Sequence, residues 1–220
     1  MSSRESSMNI CVFCSSAEGL SPKYVKAAAE VGTAIGTRGH ALVFGGYEMG
    51  LMGTVARSAR DAGARIIGVL PCKNGELDRG VFGCDEIFEA DGLSGRKEEM
   101  MRRSDAFVVL PGAFGTLDEL YCVLSAEKLF GLGKSGKPSA ADPADSEKLT
   151  ESVDPADPAG VPARCGIKPI ALIDVDGFYA PVVELGRRMV VDGFAKPEHL
   201  ALYQAFDDVL AAMAYLEAGR

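Results

Sequence analysis

The 220-residue sequence predicts a doubly wound parallel α/β sheet, three layers deep, on three observations. Short apolar runs alternate with longer helical stretches along most of the chain. The runs are continuously apolar, as strands covered by helices on both faces are. Glycine-bearing turns follow several of them, where such sheets present ligand-binding loops.

The first strand is read at 9–14 (NICVFC), followed by a helix opened by Ser21 as N-cap and Pro22 at its first position, with Gly39 just past its end. A strand at 41–44 leads into a helix from about 50 to 62 that stops at Gly63. Strands at 65–70 and 106–110 follow, with a weaker candidate at Glu86-Ile-Phe-Glu89. Helices are expected over about 95–103 and 117–130, then a last strand at 168–173 and helices over about 179–191 and 206–216. The crossovers of such a sheet are right-handed. One segment stands apart. Residues 133–166 hold five of the eleven prolines and no aromatic residue, and their acidic and small side chains cannot bury enough surface to offset ordering entropy. They read as a flexible insertion in an otherwise single nucleotide-binding domain over 1–220, and a passive loop is favoured over a ligand lid.

Composition narrows the function classes. With 47% hydrophobic and 25% charged residues the chain is globular rather than disordered. A net charge of −8 opposes tracking a nucleic-acid backbone. No apolar run reaches the roughly 18–20 residues of a membrane span, and Met1 to Ser7 lacks an apolar signal core, so a cytoplasmic protein is expected. Cys11 and Cys14 form a C-x-x-C, but positions three apart on a strand face opposite sides. Together with Cys72, Cys84, Cys122 and Cys165 they read as buried thiols, with neither a disulfide framework nor a zinc site.

The chemistry is expected beyond the carboxyl ends of the strands. Three turns lie there: Phe13-Cys-Ser-Ser16, Phe44-Gly-Gly-Tyr-Glu-Met-Gly-Leu-Met-Gly53 and Leu110-Pro-Gly-Ala-Phe-Gly-Thr-Leu-Asp-Glu119. Glycine lets backbone approach a ligand, and a helix start offers free N–H groups to an anion. Neither the dinucleotide fingerprint nor the P-loop pattern is present. Arg96 and Lys97 open one helix, and Glu119 lies in the first turn of the next. Both have plainer readings: Thr116 to Glu119 is also a capping box, and Arg96-Lys-Glu-Glu99 also reads as a solvated helix face. The face carrying Leu120, Val123, Leu124 and Leu129 reads either as core or as a dimer contact.

In order, these motifs resemble the Lonely-guy family of cytokinin riboside 5′-monophosphate phosphoribohydrolases, some of which have been labelled lysine decarboxylases. The family pattern G-G-G-x-x-G-L-M-G corresponds to Gly45 through Gly53, H-E-R-K to Ser94-Gly-Arg-Lys97, and P-G-G-x-G-T-x-x-E to Pro111 through Glu119; Cys11 to Ser16 and Asp176-Gly-Phe-Tyr179 fit as well. The resemblance covers nearly all of 9–215 outside the insertion. It implies a Rossmann-like fold, a homodimer, no cofactor or metal, and cleavage of an adenine-type nucleoside 5′-monophosphate to free base and ribose 5-phosphate. It assigns Arg96 and Glu119 as the catalytic pair. It places Ser16, Gly45, Gly46, Lys97, Met100, Pro111, Gly112, Gly115 and Thr116 at the substrate and its phosphate.

The sequence departs from that pattern at three places. Tyr47 replaces the third glycine, Ala113 the second glycine of P-G-G with Phe114 after it, and Leu93-Ser94-Gly95 the usual M-H-E. Ala113 would obstruct a backbone needing positive φ. The competing reading is therefore a non-catalytic nucleotide or molybdenum-cofactor carrier on the same fold. A decarboxylase is disfavoured, because no pyridoxal-phosphate lysine with its partners is recognisable.

Overall fold

The structure is a computed structural model describing residues 7–72, 80–130 and 168–219. The insertion at 133–166, with Cys165, lies outside the described residues, as do the side chains of Cys72 and Leu129.

Among the described residues seven strands form one sheet: β1 (Asn9–Phe13), β2 (Ala41–Phe44), β3 (Ile66–Cys72), β4 (Glu86–Asp91), β5 (Ala106–Val109), β6 (Ile170–Ile173) and β7 (Gln204–Phe206). Their spatial order is β4-β3-β2-β1-β5-β6-β7, and every pairing is parallel. The chain winds outward from β1 to β4, then returns to lay β5 against the other side of β1. The gap between β1 and β5 is therefore the point where winding reverses, and crevices of such sheets open there.

The helices are α1 (Pro22–Thr37), α2 (Gly50–Asp61), α3 (Gly92–Arg103), α4 (Phe114–Phe130), α5 (Ala180–Val191) and α6 (Val209–Ala218). Side-chain alternation sorts the core into two layers. Ile10, Val12, Leu42, Phe44 and Val108 pack under α1, α2 and α6. Cys11, Phe13, Val43, Val69, Phe107 and Val109 pack under α3 and α4 with Tyr179. Cys11 and Cys14 fall in opposite layers, both as buried free thiols.

The strands lie where the apolar runs put them, with one addition. β7 is an edge strand of three half-buried residues, too short to show a pattern. It also displaces the start expected for the last helix: α6 begins at Val209, with Asp208 as N-cap accepting from the Ala211 N–H at 2.7 Å. Ser21 stands at the N-cap position of α1 but makes no side-chain cap bond; Pro22 alone marks that start. α3 and α4 each begin three residues earlier than expected, which changes the site. Among the described residues no helix is long and apolar enough to cross a membrane.

Candidate active site

Three turns meet at the carboxyl end of the sheet, and the Ser15 backbone ties them together. Its N–H donates to the Pro111 carbonyl at 3.3 Å, and its carbonyl accepts from Leu51 N–H at 3.0 Å. Its hydroxyl accepts from Ala17 N–H at 3.0 Å. Sequence reasoning singled out the exposed Ser16 and missed Ser15, whose role is a tertiary contact.

The turn after β5 runs Pro111, Gly112, Ala113 and is helical from Phe114 onward. The capping box is thereby excluded: Thr116 is the third residue of α4, and Glu119 lies in the second turn, not the first. Leu117 N–H makes an early intrahelical bond, to the Ala113 carbonyl at 3.1 Å. The N–H groups of Phe114, Gly115 and Thr116 belong to the orphan set of a helix start. Gly112 has no room for a side chain, because a Cβ there would run into Thr116, which is buried. Gly115 has nothing within 4 Å of a Cβ position and borders open space. Ala113 causes no strain, since Asp176 is the one non-glycine residue with positive φ among the described residues. Beneath the turn, the fully buried Tyr179 donates its hydroxyl to the Leu110 carbonyl at 2.8 Å and its N–H to Asp174 Oδ1 at 2.7 Å. The Asp176-Gly-Phe-Tyr179 stretch thus serves the site as a support.

α3 begins directly after β4, at Gly92, so Leu93-Ser94-Gly95 is its first turn rather than a loop before it. Arg96 reaches from there across the ends of two strands. Its Nε donates to the Val69 carbonyl at 3.0 Å and its Nη2 to the Gly45 carbonyl at 3.2 Å. Glycine at 45 leaves this position to the guanidinium, which a Cβ there would displace. Gly46 takes φ +80° over the Leu70 side chain and accepts from Phe82 N–H at 2.8 Å. The solvated-face reading of 96–99 therefore fails for Arg96. It holds for the exposed Glu98, whereas Glu99 is half-buried and pairs with Arg102 and Arg103 at 2.8 and 2.5 Å.

Lys97 bridges α3 to α4 through Asp118 at 2.6 Å, and that bond raises its pKa. Met100 is 1% exposed and lies in the core layer beneath the sheet, so it presents no surface to a ligand here. Leu120 and Val123 are likewise core, and Leu124 is half-buried against it.

Glu119 is half-buried on α4. Burial pushes its pKa up to about 7; the Arg96 charge pulls it down, Asp118 pushes it up and Lys97 pulls it down. Desolvation is the largest effect, and Asp118, the partner of Lys97, offsets part of the pull of the cations. Cys14 lies below, its thiol pushed well up by burial and then by Glu119. The assembled site offers a carboxyl that titrates near neutrality, an immobilised guanidinium and a helix start open to an anion. Perturbed carboxyls of this kind mark candidate acid–base groups.

The sequence profile of the SLOG cluster4 family matches residues 7–157. The chain is 34% identical over 210 residues to a protein of Oryza sativa subsp. japonica named probable cytokinin riboside 5′-monophosphate phosphoribohydrolase LOGL9, covering 94% of this chain and 77% of that one. It is 35% identical over 187 residues to cytokinin riboside 5′-monophosphate phosphoribohydrolase LOG of the same plant, covering 84% of this chain and 62% of that one. The chain thus spans 77% and 62% of the lengths of these two relatives. The fold matches the molybdenum cofactor carrier protein MCP of Chlamydomonas reinhardtii, with a TM-score of 0.62 over 95% of each chain at 20% identity, a likeness of fold alone. On the profile match and the plant relatives, this chain belongs to the SLOG cluster4 family and is kin to the LOG phosphoribohydrolases.

Proposed function

We propose that the protein hydrolyses the N-glycosidic bond of an adenine-type nucleoside 5′-monophosphate, AMP or a cytokinin riboside 5′-monophosphate, to free base and ribose 5-phosphate. The observation that carries this reading is Glu119: a carboxyl on a helix at the winding reversal, raised by burial to about 7, beside the fixed Arg96. The names of the plant relatives supply the substrate class.

The 5′-phosphate sits on the N–H groups of Phe114, Gly115 and Thr116, where the helix dipole favours an anion. Gly115, open above, allows the close approach, and Thr116 and Gly112 shape the turn. As the C1′–N bond lengthens, positive charge develops on the ribose, as in other glycoside cleavages. The Glu119 carboxylate stabilises that charge and takes a proton from the attacking water as its oxygen bonds C1′. The bonding pair leaves with the base, which takes up a proton from solvent, and Glu119 then releases its own to solvent. Arg96 presents its remaining guanidinium donors to polar groups of the substrate. Ser16, Gly45, Gly46, Lys97 and Pro111 complete the surroundings through backbone placement and, for Lys97, the tie to Asp118.

The working form is a cytoplasmic homodimer, and exposed apolar side chains support the dimer. Phe114 is 89% exposed and Phe194 81%, and Tyr121, Leu185 and Val191 are exposed too. α5 buries none of its residues. Exposed apolar surface favours association where it is contiguous. A carrier on the same fold would bind the nucleotide and leave it intact. Chromatography of AMP and N6-isopentenyl-AMP after incubation decides between them: equal amounts of base and ribose 5-phosphate are expected, whereas bound and unchanged nucleotide would refute the enzyme.

A further inference from the structure

The turn after β2 carries one contact that the mechanism above leaves unused. The Arg96 guanidinium carbon lies 5.9 Å from the centroid of the Tyr47 ring. That is within the range over which a cation is drawn to an aromatic face. Tyr47 is not on a loose loop. It bridges Val81 in antiparallel fashion, with Glu48 N–H donating to the Gly80 carbonyl and Phe82 N–H to the Gly46 carbonyl, each at 2.8 Å. The strap that holds it is anchored in turn. Phe82 is 3% exposed, meets Phe44 edge-on at 6.0 Å, and lies under the Arg60 guanidinium at 4.3 Å.

Two hydrogen bonds, to Val69 and Gly45, hold the Nε–Nη2 edge of the Arg96 guanidinium. The Tyr47 ring beside it limits rotation about that edge. Glycine at 45 leaves space for the guanidinium, and the aromatic residue two positions on closes it. Position 47 is where the family pattern places another glycine, which has no side chain for this task.

We propose that Tyr47 is a positioning residue for Arg96: clamped by the 80–82 strap, its ring holds the guanidinium on the Val69 and Gly45 carbonyls and so keeps that charge beside Glu119. The kinetic consequence rests on the phosphoribohydrolase reading; the geometric one does not.

The test uses Tyr47→Ala and Tyr47→Phe in the full chain, with two readouts. In the first, AMP turnover, Tyr47→Ala lowers kcat about tenfold while KM moves less than about threefold. Tyr47→Phe, which keeps the ring, recovers most of that loss. In an Arg96→Lys background Tyr47→Ala adds no further loss. The second readout is solvent exchange of the Arg96 Nε–H, followed by nitrogen-15 NMR. Exchange is about tenfold faster in Tyr47→Ala than in wild type or Tyr47→Phe. Unchanged exchange in Tyr47→Ala overturns the proposal, as does a lower melting temperature with kcat and exchange both intact. If wild type releases no base, the phosphoribohydrolase reading fails alone, and the exchange measurement still decides the role of Tyr47.

Discussion

The α3 side of the site and the α4 side are built on opposite terms. On α3, Arg96 is committed before any substrate arrives, to two carbonyls at 3.0 and 3.2 Å and a ring at 5.9 Å. On α4, Glu119 is buried with its nearby cations engaged elsewhere, and its pKa rises to about 7. A guanidinium needs no proton exchange to work, so fixing it costs no function and supplies a preoriented charge. A carboxyl that must take and release a proton needs the reverse, a pKa near the working pH. On the proposed function, the contrast separates a fixed electrostatic element from a proton carrier.

The comparison breaks most sharply at Glu119. Glu119→Gln removes the proton acceptor and keeps the shape, and base release falls by about 10² to 10⁴ in kcat. Its stability should move the other way. A raised native pKa means the folded carboxyl binds its proton more tightly than the unfolded one, so stability falls as pH rises from about 4.5 to about 7. Glu119→Gln escapes that loss. Its melting temperature at pH 8 should exceed wild type, by an amount corresponding to about 1–2 kcal/mol, and the gap should close at pH 4.

Gly45→Ala tests the other side without touching a charge. The added methyl overlaps the Arg96 guanidinium and forces it off the Gly45 carbonyl. Turnover should fall about 10- to 100-fold, and because the Arg96 charge holds Glu119 down, the pH midpoint of kcat/KM should move upward. A midpoint that stays put would mean Arg96 does not act on Glu119.

Most strands were readable because a parallel sheet covered on both faces makes its strands plain apolar runs, as at Ile10 to Phe13 and Ala106 to Val109. β7 was not, since Gln204–Phe206 is a short half-buried edge. The starts of α3 and α4 were misplaced for a local reason. α4 opens after Ala113, which caps nothing, and Thr116 offered a false cap. The spacing of Arg96 and Glu119 was visible through their motifs. How each is held was not, because Arg96's carbonyls come from Gly45, just past β2, and from Val69 of β3, and the rise of Glu119 comes from burial. Met100 shows the converse: a position carried over by resemblance that the fold places in the core.

Smaller effects sharpen the boundary between site and support. Tyr179→Phe removes the hydroxyl that holds Leu110 and leaves that carbonyl without its partner. Thermal unfolding should show a loss of about 1–2 kcal/mol, with a lesser loss of activity. Lys97→Met breaks the tie to Asp118, which is largely exposed, so stability should change by less than about 1 kcal/mol. A larger loss in Lys97→Met would make the α3–α4 tie structural.

The most direct test of the account is the pH dependence of kcat/KM for base release from AMP, which reports the free enzyme, in wild type and Glu119→Gln. The wild-type rate should rise with pH through a single ionisation near 7, as the Glu119 carboxylate forms, and then level. The residual rate of Glu119→Gln should lack that ionisation. Wild-type activity in Glu119→Gln, or the same ionisation surviving in it, would contradict the assignment of Glu119 as the group that does the chemistry.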